Sequence, residues 1–79
     1  MLTIDTTTIP AEEPNRREWI KYQLRARGSS LSRVARDQGV SRFAASVALQ
    51  RQYPRLERAI ARRLGLDPKQ VWPERYDEN

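Results

Sequence analysis

A chain of 79 residues with no cysteine, no histidine and a formal net charge of +5 is long enough for one small domain. The two missing residue types exclude disulfides, Cys/His zinc sites and imidazole catalysis. Because no apolar run approaches the roughly 20 residues of a membrane span and the N-terminus lacks the order of a signal peptide, we expect a cytoplasmic protein.

The positive charge is concentrated in the middle of the chain. Residues 14–63 contain thirteen Arg or Lys against three acidic residues, a net of +10, whereas the two ends together carry −5. Twelve of these thirteen cations are Arg, whose planar guanidinium matches phosphate oxygens and the edge of guanine. This distribution favours a polyanionic partner, and a basic surface that only confers solubility is the alternative.

Residues 1–14 predict a flexible N-terminal tail, because they are rich in Thr, contain Pro10 and show no hydrophobic periodicity. The first helix is expected to begin with Asn15 as its N-cap and Glu18 as the reciprocal partner of a capping box. It is expected to end at Gly28 and to bury Ile20 and Leu24 on one face. Two aromatic residues of this helix are expected at the core and its boundary, namely Trp19 and Tyr22.

The segment from Ser30 to Arg51 has the pattern of a helix-turn-helix. Ser30 is suited to cap a helix whose apolar face is formed by Leu31, Val34 and Ala35. Gly39 should end that helix, because the turn requires a positive φ. Ser41 should cap the second helix, whose inward side chains are Ala45, Ala48 and Leu49.

A fourth helix is predicted to start at Pro54 and to end at Gly65. Its inward residues follow a spacing of four, with one alanine beside them: Leu56, Ile60, Leu64 and Ala59.

A short fifth helix should follow, with Asp67 as cap, Pro68 at the first position and Gln70 as the capping-box partner. Pro73 ends it, and Tyr76 is expected in an extended segment. Trp72 and Tyr76 would hold this C-terminal segment against the bundle, and residues 77–79 form a polar end.

In a helix-turn-helix, the start of the second helix enters the major groove of DNA. The side chains expected to read bases are Ser41, Arg42, Phe43, Ser46, Val47 and Gln50. Arg42 can donate two parallel bonds to guanine. Phe43 and Val47 would contact thymine methyls or, if the helix is rotated, would belong to the core or to a protein interface. Phosphate contacts are expected from Ser30, Ser32, Arg33, Arg51 and Gln52.

Several segments of the chain resemble the Ner family of small phage and bacterial DNA-binding regulators, which includes the sugar fermentation stimulation proteins. The C-terminal signature consists of Ile60-Ala61, Leu64, Pro68 and the run Val71-Trp72-Pro73-Glu74-Arg75-Tyr76. The upstream matches are Leu31-Ser32, Arg36, Gly39, Ala48-Leu49, Arg51 and Pro54. Two positions depart from the family: Asn15-Arg16 stands where members usually have Trp-His, and Ala45 stands where they tend to have Leu.

The resemblance covers roughly residues 17–76. It implies an all-α, lambda-repressor-like bundle of about five helices, and we place this helix-turn-helix DNA-binding domain at residues 15–76. It also implies sequence-specific binding to double-stranded operator DNA, with transcription repressed or modulated. Because one small domain contacts few base pairs, we expect paired copies, as a weak homodimer formed on DNA. No cofactor, metal, membrane or small-molecule substrate is expected.

A second hypothesis is a protein-interaction helical module that docks through Phe43 and Val47. Salt-dependent retention on duplex DNA separates the two hypotheses, because an interaction module should show none at physiological salt. Enzymatic activity is not expected, since the sequence has no paired acids at helical spacing, no nucleophile–base set and no phosphate loop.

Overall fold

The computed structural model describes residues 9–76, and within that range it consists of five α-helices and one turn of 3-10 helix, with no β-strand. In chain order these are α1 (Asn15–Ala26), α2 (Leu31–Gln38), α3 (Arg42–Gln50), α4 (Pro54–Leu64), α5 (Pro68–Val71) and the 3-10 turn Pro73–Arg75. The predicted all-α bundle of five helices is confirmed. None of the helices in the described range has the length and apolar composition that a membrane crossing needs.

The turn between α2 and α3 forms as the sequence predicts. The Ser30 hydroxyl oxygen accepts a hydrogen bond from the Arg33 amide, and the Ser41 hydroxyl oxygen accepts one from the Ala44 amide, both at 3.1 Å. Gly39 ends α2 with φ +71°, a left-handed conformation that a side chain would strain. Both predicted caps and the predicted stop are therefore confirmed.

One core joins all five helices. Its fully or almost fully buried apolar residues are Ile20, Leu24, Leu31, Val34, Ala35, Ala45, Ala48, Leu49, Leu56, Ile60, Ala61, Leu64, Val71 and Trp72. Every predicted inward residue belongs to this set or packs against it, although on α4 Ala61 is the buried alanine and Ala59 is half-buried. Since the buried residues of α3 include two alanines, its backbone can lie close to its neighbours.

The predicted N-terminus of α1 is wrong. Pro14 occupies the cap position in helical conformation, and no side chain caps the helix. The backbone turns earlier, because the Arg16 amide donates to the Glu12 carbonyl at 2.9 Å. Glu18 does not reach back to form a capping box; its carboxylate pairs with Lys21 at 3.2 Å.

The predicted positions of the aromatic residues are confirmed for some of them and wrong for others. Trp72 is completely buried and Trp19 packs against the core, as expected. Tyr22 is 61% exposed, so the expectation that it packs at the boundary is wrong. Tyr76 does not lie in an extended segment, because it ends the 3-10 turn with φ −121° and ψ 13°. Trp72 and Tyr76 nevertheless hold the C-terminal segment against the bundle.

The N-terminal segment is tied to the bundle by one buried guanidinium. Arg16, only 3% exposed, donates to the backbone carbonyls of Pro10 at 3.1 Å and of Ala11. The same guanidinium donates to the Val71 carbonyl at 3.1 Å and to the Glu74 carboxylate at 2.7 Å. Part of the segment predicted as a tail is thus hydrogen bonded to α1, while residues 1–8 and 77–79 lie outside the described residues.

Candidate nucleic-acid interface

The outer face of α3 is open to solvent. Phe43 is 77% exposed, Arg42 and Gln50 are exposed, and Ser46 and Val47 are half-buried. The opposite face of the helix is filled by the buried residues Ala45, Ala48 and Leu49. Because these three fix the rotation of α3, the alternative in which Phe43 and Val47 belong to the core is wrong. Ser41, also exposed, precedes the helix as its cap.

The residues predicted to contact phosphates lie at the ends of α2 and α3. Ser32, Arg33, Arg51 and Gln52 are exposed, and Ser30 is half-buried. The oxygen of Ser30 accepts the capping bond, so its hydroxyl hydrogen is still available to donate to an anion. The first amides of α2 also have no partner within the helix, as at any helix N-terminus.

A small surface pocket joins α1 to the starts of α2 and α3. It has a volume of about 80 Å³ and is lined by Lys21, Arg25, Ser30, Leu31, Ser32 and Arg42. Three cations thus surround the N-terminus of α2, where the helix dipole also favours negative charge. Neither Lys21 nor Arg25 was predicted from the sequence to belong to this site. Their spacing of four along α1 was the available signal, but it does not show which way the helix faces.

A second pocket lies on the same border of α3, further along the helix. Its volume is about 150 Å³, and its lining includes Arg17, Glu18 and Lys21 from α1 with Ser46 and Gln50 from α3. Lys21 therefore lies between the two pockets. The outer face of α3 is flanked along one side by three cations of α1, Arg17, Lys21 and Arg25, and by Glu18, which pairs with Lys21.

A buried polar cluster holds the other side of α3. Arg75 donates to the Ala48 carbonyl of α3 at 2.7 Å and to the Glu57 carboxylate of α4 at 2.9 Å. The same carboxylate accepts from the Tyr53 amide at 2.7 Å and from the Tyr76 hydroxyl. Burial, and then the hydrogen bond to Glu57, raise the pKa of Tyr76 to about 12. The C-terminal turn is thereby linked to the last turn of α3.

The structural roles of the charged residues Arg16, Glu57 and Arg75 were not predicted from the sequence. Glu57 is 1% exposed and lies on the inner face of α4. The sequence pattern that could have indicated its burial is an acidic residue between the apolar positions of an amphipathic helix. The Arg16 guanidinium is hydrogen bonded to backbone carbonyls and to the Glu74 carboxylate instead of to solvent. Burial alone would raise the pKa of Glu74, but the hydrogen bond and the charge of Arg16 lower this pKa below its ordinary value. Arg16 and Arg75 are therefore structural cations.

Comparison with known proteins assigns the fold to a family. A family model described as winged helix-turn-helix DNA-binding matches residues 16–79. This chain belongs to that DNA-binding family. Within residues 9–76 it presents the helix-turn-helix without any β-strand that could form a wing.

The most similar relatives include a phage regulator and a prophage protein. The chain is 38% identical over 66 residues to the negative regulator of transcription of Escherichia phage D108, covering 78% of this chain and 90% of the relative. It is 32% identical over 68 residues to the Mu-like prophage FluMu DNA-binding protein Ner of Haemophilus influenzae, covering 86% and 76%. The predicted resemblance to the Ner family is confirmed.

A third relative is the sugar fermentation stimulation protein B of Escherichia coli K12, 40% identical over 55 residues. The match covers 70% of this chain but only 60% of that relative.

Proposed function

We propose that this protein is a sequence-specific regulator of transcription, acting as a repressor, and that α3 enters the major groove of its operator. The observation that carries the proposal is the outer face of α3, which is exposed while the helix is fixed from behind by core residues and Arg75. The names of two relatives, a negative regulator of transcription and a DNA-binding protein, support it.

Arg42 is the proposed reader of a guanine. It lies in the first turn of α3, is exposed, and makes no ion pair with any residue in the range 9–76. A guanidinium in that position can donate two bonds to N7 and O6 of guanine. Ser41 precedes it, and Ser46 and Gln50 lie further along α3; all three are shorter polar groups that can bond to bases or to the nearest phosphates.

Phosphate contacts are proposed on both sides of this reading helix. On one strand, the pocket around the N-terminus of α2 would hold a phosphate between the cations Lys21 and Arg25 and the hydroxyls of Ser30 and Ser32, with Arg33 nearby. The other strand would be contacted by Arg51 and Gln52, which are exposed just beyond the end of α3.

Operator binding is proposed to involve two copies of the chain. One α3 can reach only a few base pairs, and two-fold related copies would read an inverted repeat whose half-sites lie about one helical turn apart. The contact between copies would be weak, and the dimer would form on DNA.

The competing function is a protein-interaction module that docks through Phe43 and Val47, and the exposure of Phe43 is the observation that favours it. Selection from a random duplex pool, followed by affinity measurements at several salt concentrations, separates the two. We expect an enriched motif with inverted symmetry and an affinity that falls steeply with salt. A protein that is not retained on any duplex in dilute salt would contradict the proposal.

A further inference from the structure

We infer that Phe43 and Val47 recognise the methyl group at carbon 5 of a pyrimidine, so that α3 selects thymine and also accepts 5-methylcytosine at that position. The inference rests on the proposed function and names the chemical group that part of the site recognises. It makes Phe43 and Val47 specificity-determining residues and predicts that the protein distinguishes a methylated from an unmethylated base.

The geometry of the pair supports this reading. The two residues are four apart, so their side chains are neighbours on the same face of α3. They stand opposite the buried face formed by Ala45, Ala48 and Leu49. Phe43 is one of two large apolar side chains exposed in the range 9–76, at 77%, and with Val47 it forms a small apolar patch on the outer face of α3.

The charges around the pair favour DNA as that partner. Arg42 precedes Phe43, Arg51 follows α3, and Arg17, Lys21 and Arg25 border the two pockets alongside. A patch of two side chains is far smaller than the roughly 800 Å² per partner of a standard protein interface. The two pockets beside it are lined by four cations and one acidic residue, Glu18, so the patch is complementary to a polyanion that offers a small apolar group between its phosphates.

The major groove offers one such group. Guanine, cytosine and adenine present hydrogen-bond donors and acceptors there, and thymine adds the methyl at carbon 5. Neither Phe43 nor Val47 can donate or accept a side-chain hydrogen bond, so the methyl is the feature they can read. Uracil pairs as thymine does but lacks this methyl, and 5-methylcytosine carries it on a different base.

The spacing of the pair limits where the methyl can lie. Four residues of α-helix rise about 6 Å, close to two base-pair steps of about 3.4 Å each. The sensitive thymines should therefore lie within about two steps of each other in each half-site.

The experiment replaces each thymine of the selected operator, one at a time, with uracil. Wild-type protein should lose about fourfold in affinity per critical methyl, the effect of burying one such group, and should be indifferent to uracil elsewhere. At a critical position, a C·G pair should bind about fourfold more tightly when its cytosine carries the 5-methyl group. Phe43→Ala and Val47→Ala should each lose the discrimination at one position.

Two controls complete the design. Tyr22→Ala removes the other large exposed side chain, which lies on α1, and should retain the full uracil effect. Since Phe43 is mostly exposed, Phe43→Ala should unfold at the wild-type temperature. If the variant is destabilised, the uracil series on wild-type protein still tests the inference.

The inference and the proposed function fail in different ways. An operator that is bound specifically but shows no thymine whose replacement by uracil weakens binding would overturn the inference alone. Full uracil sensitivity in both Phe43→Ala and Val47→Ala would also overturn it. Absence of any selected motif would instead refute the proposed function.

Discussion

The two sides of α3 use charged residues in opposite ways. On the outer side, Arg42 is exposed and makes no ion pair with residues 9–76. On the inner side, the Arg75 side chain is only 8% exposed and is bonded to Ala48 and Glu57. Both are arginines in a basic chain, and the residues that flank each of them give little indication that one is exposed and the other is not. The bulk charge of a small domain therefore overstates the charge available to a partner.

The inner side explains how a chain without disulfides can present a fixed helix. A buried ion pair is strong only when its remaining donors and acceptors are satisfied, and the Glu57 carboxylate accepts from three groups. Arg16 has the same function at the termini, where it bonds Pro10, Ala11, Val71 and Glu74. The exposed side chains on the outer side of α3, Arg42, Phe43 and Gln50, take no part in either of these clusters.

The largest expected effect comes from breaking the inner side. Glu57→Ala leaves the Arg75 guanidinium buried without its anion, and we expect the free energy of unfolding to fall by about 3–5 kcal/mol. Urea denaturation followed by tryptophan fluorescence measures this. Glu18→Ala is the matched control, because its exposed pair with Lys21 contributes less than about 1 kcal/mol. Equal losses in the two variants would show that the buried cluster does not stabilise the fold.

Breaking the outer side should affect binding and leave stability unchanged. Arg42→Ala should lose about 1–3 kcal/mol of binding free energy on the selected operator and relax the preference at one base pair. The measurement is a titration against the operator and its single-base variants. If the loss is the same on every sequence, Arg42 contacts the backbone and reads no base.

A phosphate contact should weaken all sequences alike. Arg51→Ala is expected to lower the slope of the logarithm of affinity against the logarithm of salt by about one unit, because one fewer counterion is released. Arg62→Ala provides the control, since Arg62 is exposed on α4 and lines neither pocket. An unchanged slope for Arg51→Ala would exclude it from the backbone contacts.

The smallest expected effect is on the alkaline stability of the inner side. Folding raises the pKa of Tyr76 from its ordinary value of 10.0 to about 12. Burial of the phenol and, second, its hydrogen bond to Glu57 favour the neutral form in the folded protein. The stability that this preference contributes is therefore complete below pH 10 and is lost as the pH rises through 12. Tyr76→Phe should be less stable at neutral pH and should lose less on going to pH 12. Parallel stability curves for the two proteins would contradict this assignment.

The sequence predicted the parts of the fold that depend on local chemistry. Ser30, Gly39 and Ser41 act through amides and dihedral angles within a few residues, so their roles can be read directly. Arg16, Glu57 and Arg75 each have a charged partner 18 or more residues away, and no local pattern gives that pairing. The predicted Asn15 cap is wrong because Pro14 takes the cap position in helical conformation and the backbone already turns at Glu12.

The residues of the candidate site also fall into those that local sequence patterns predict and those that depend on helix packing. The face of α3 follows from helical periodicity, so the exposure of Arg42 and Phe43 could be predicted. Lys21 and Arg25 could not be assigned, because their position depends on how α1 packs beside α2 and α3.

The central claim is that α3 enters the major groove, and methylation interference tests it most directly. Dimethyl sulfate modifies guanine N7 in the major groove and adenine N3 in the minor groove, so one modified operator probes both. The account predicts that N7 methylation of a guanine in each half-site blocks wild-type binding, and that Arg42→Ala is indifferent to it. Interference confined to adenine N3, or absent from both grooves, would contradict the account.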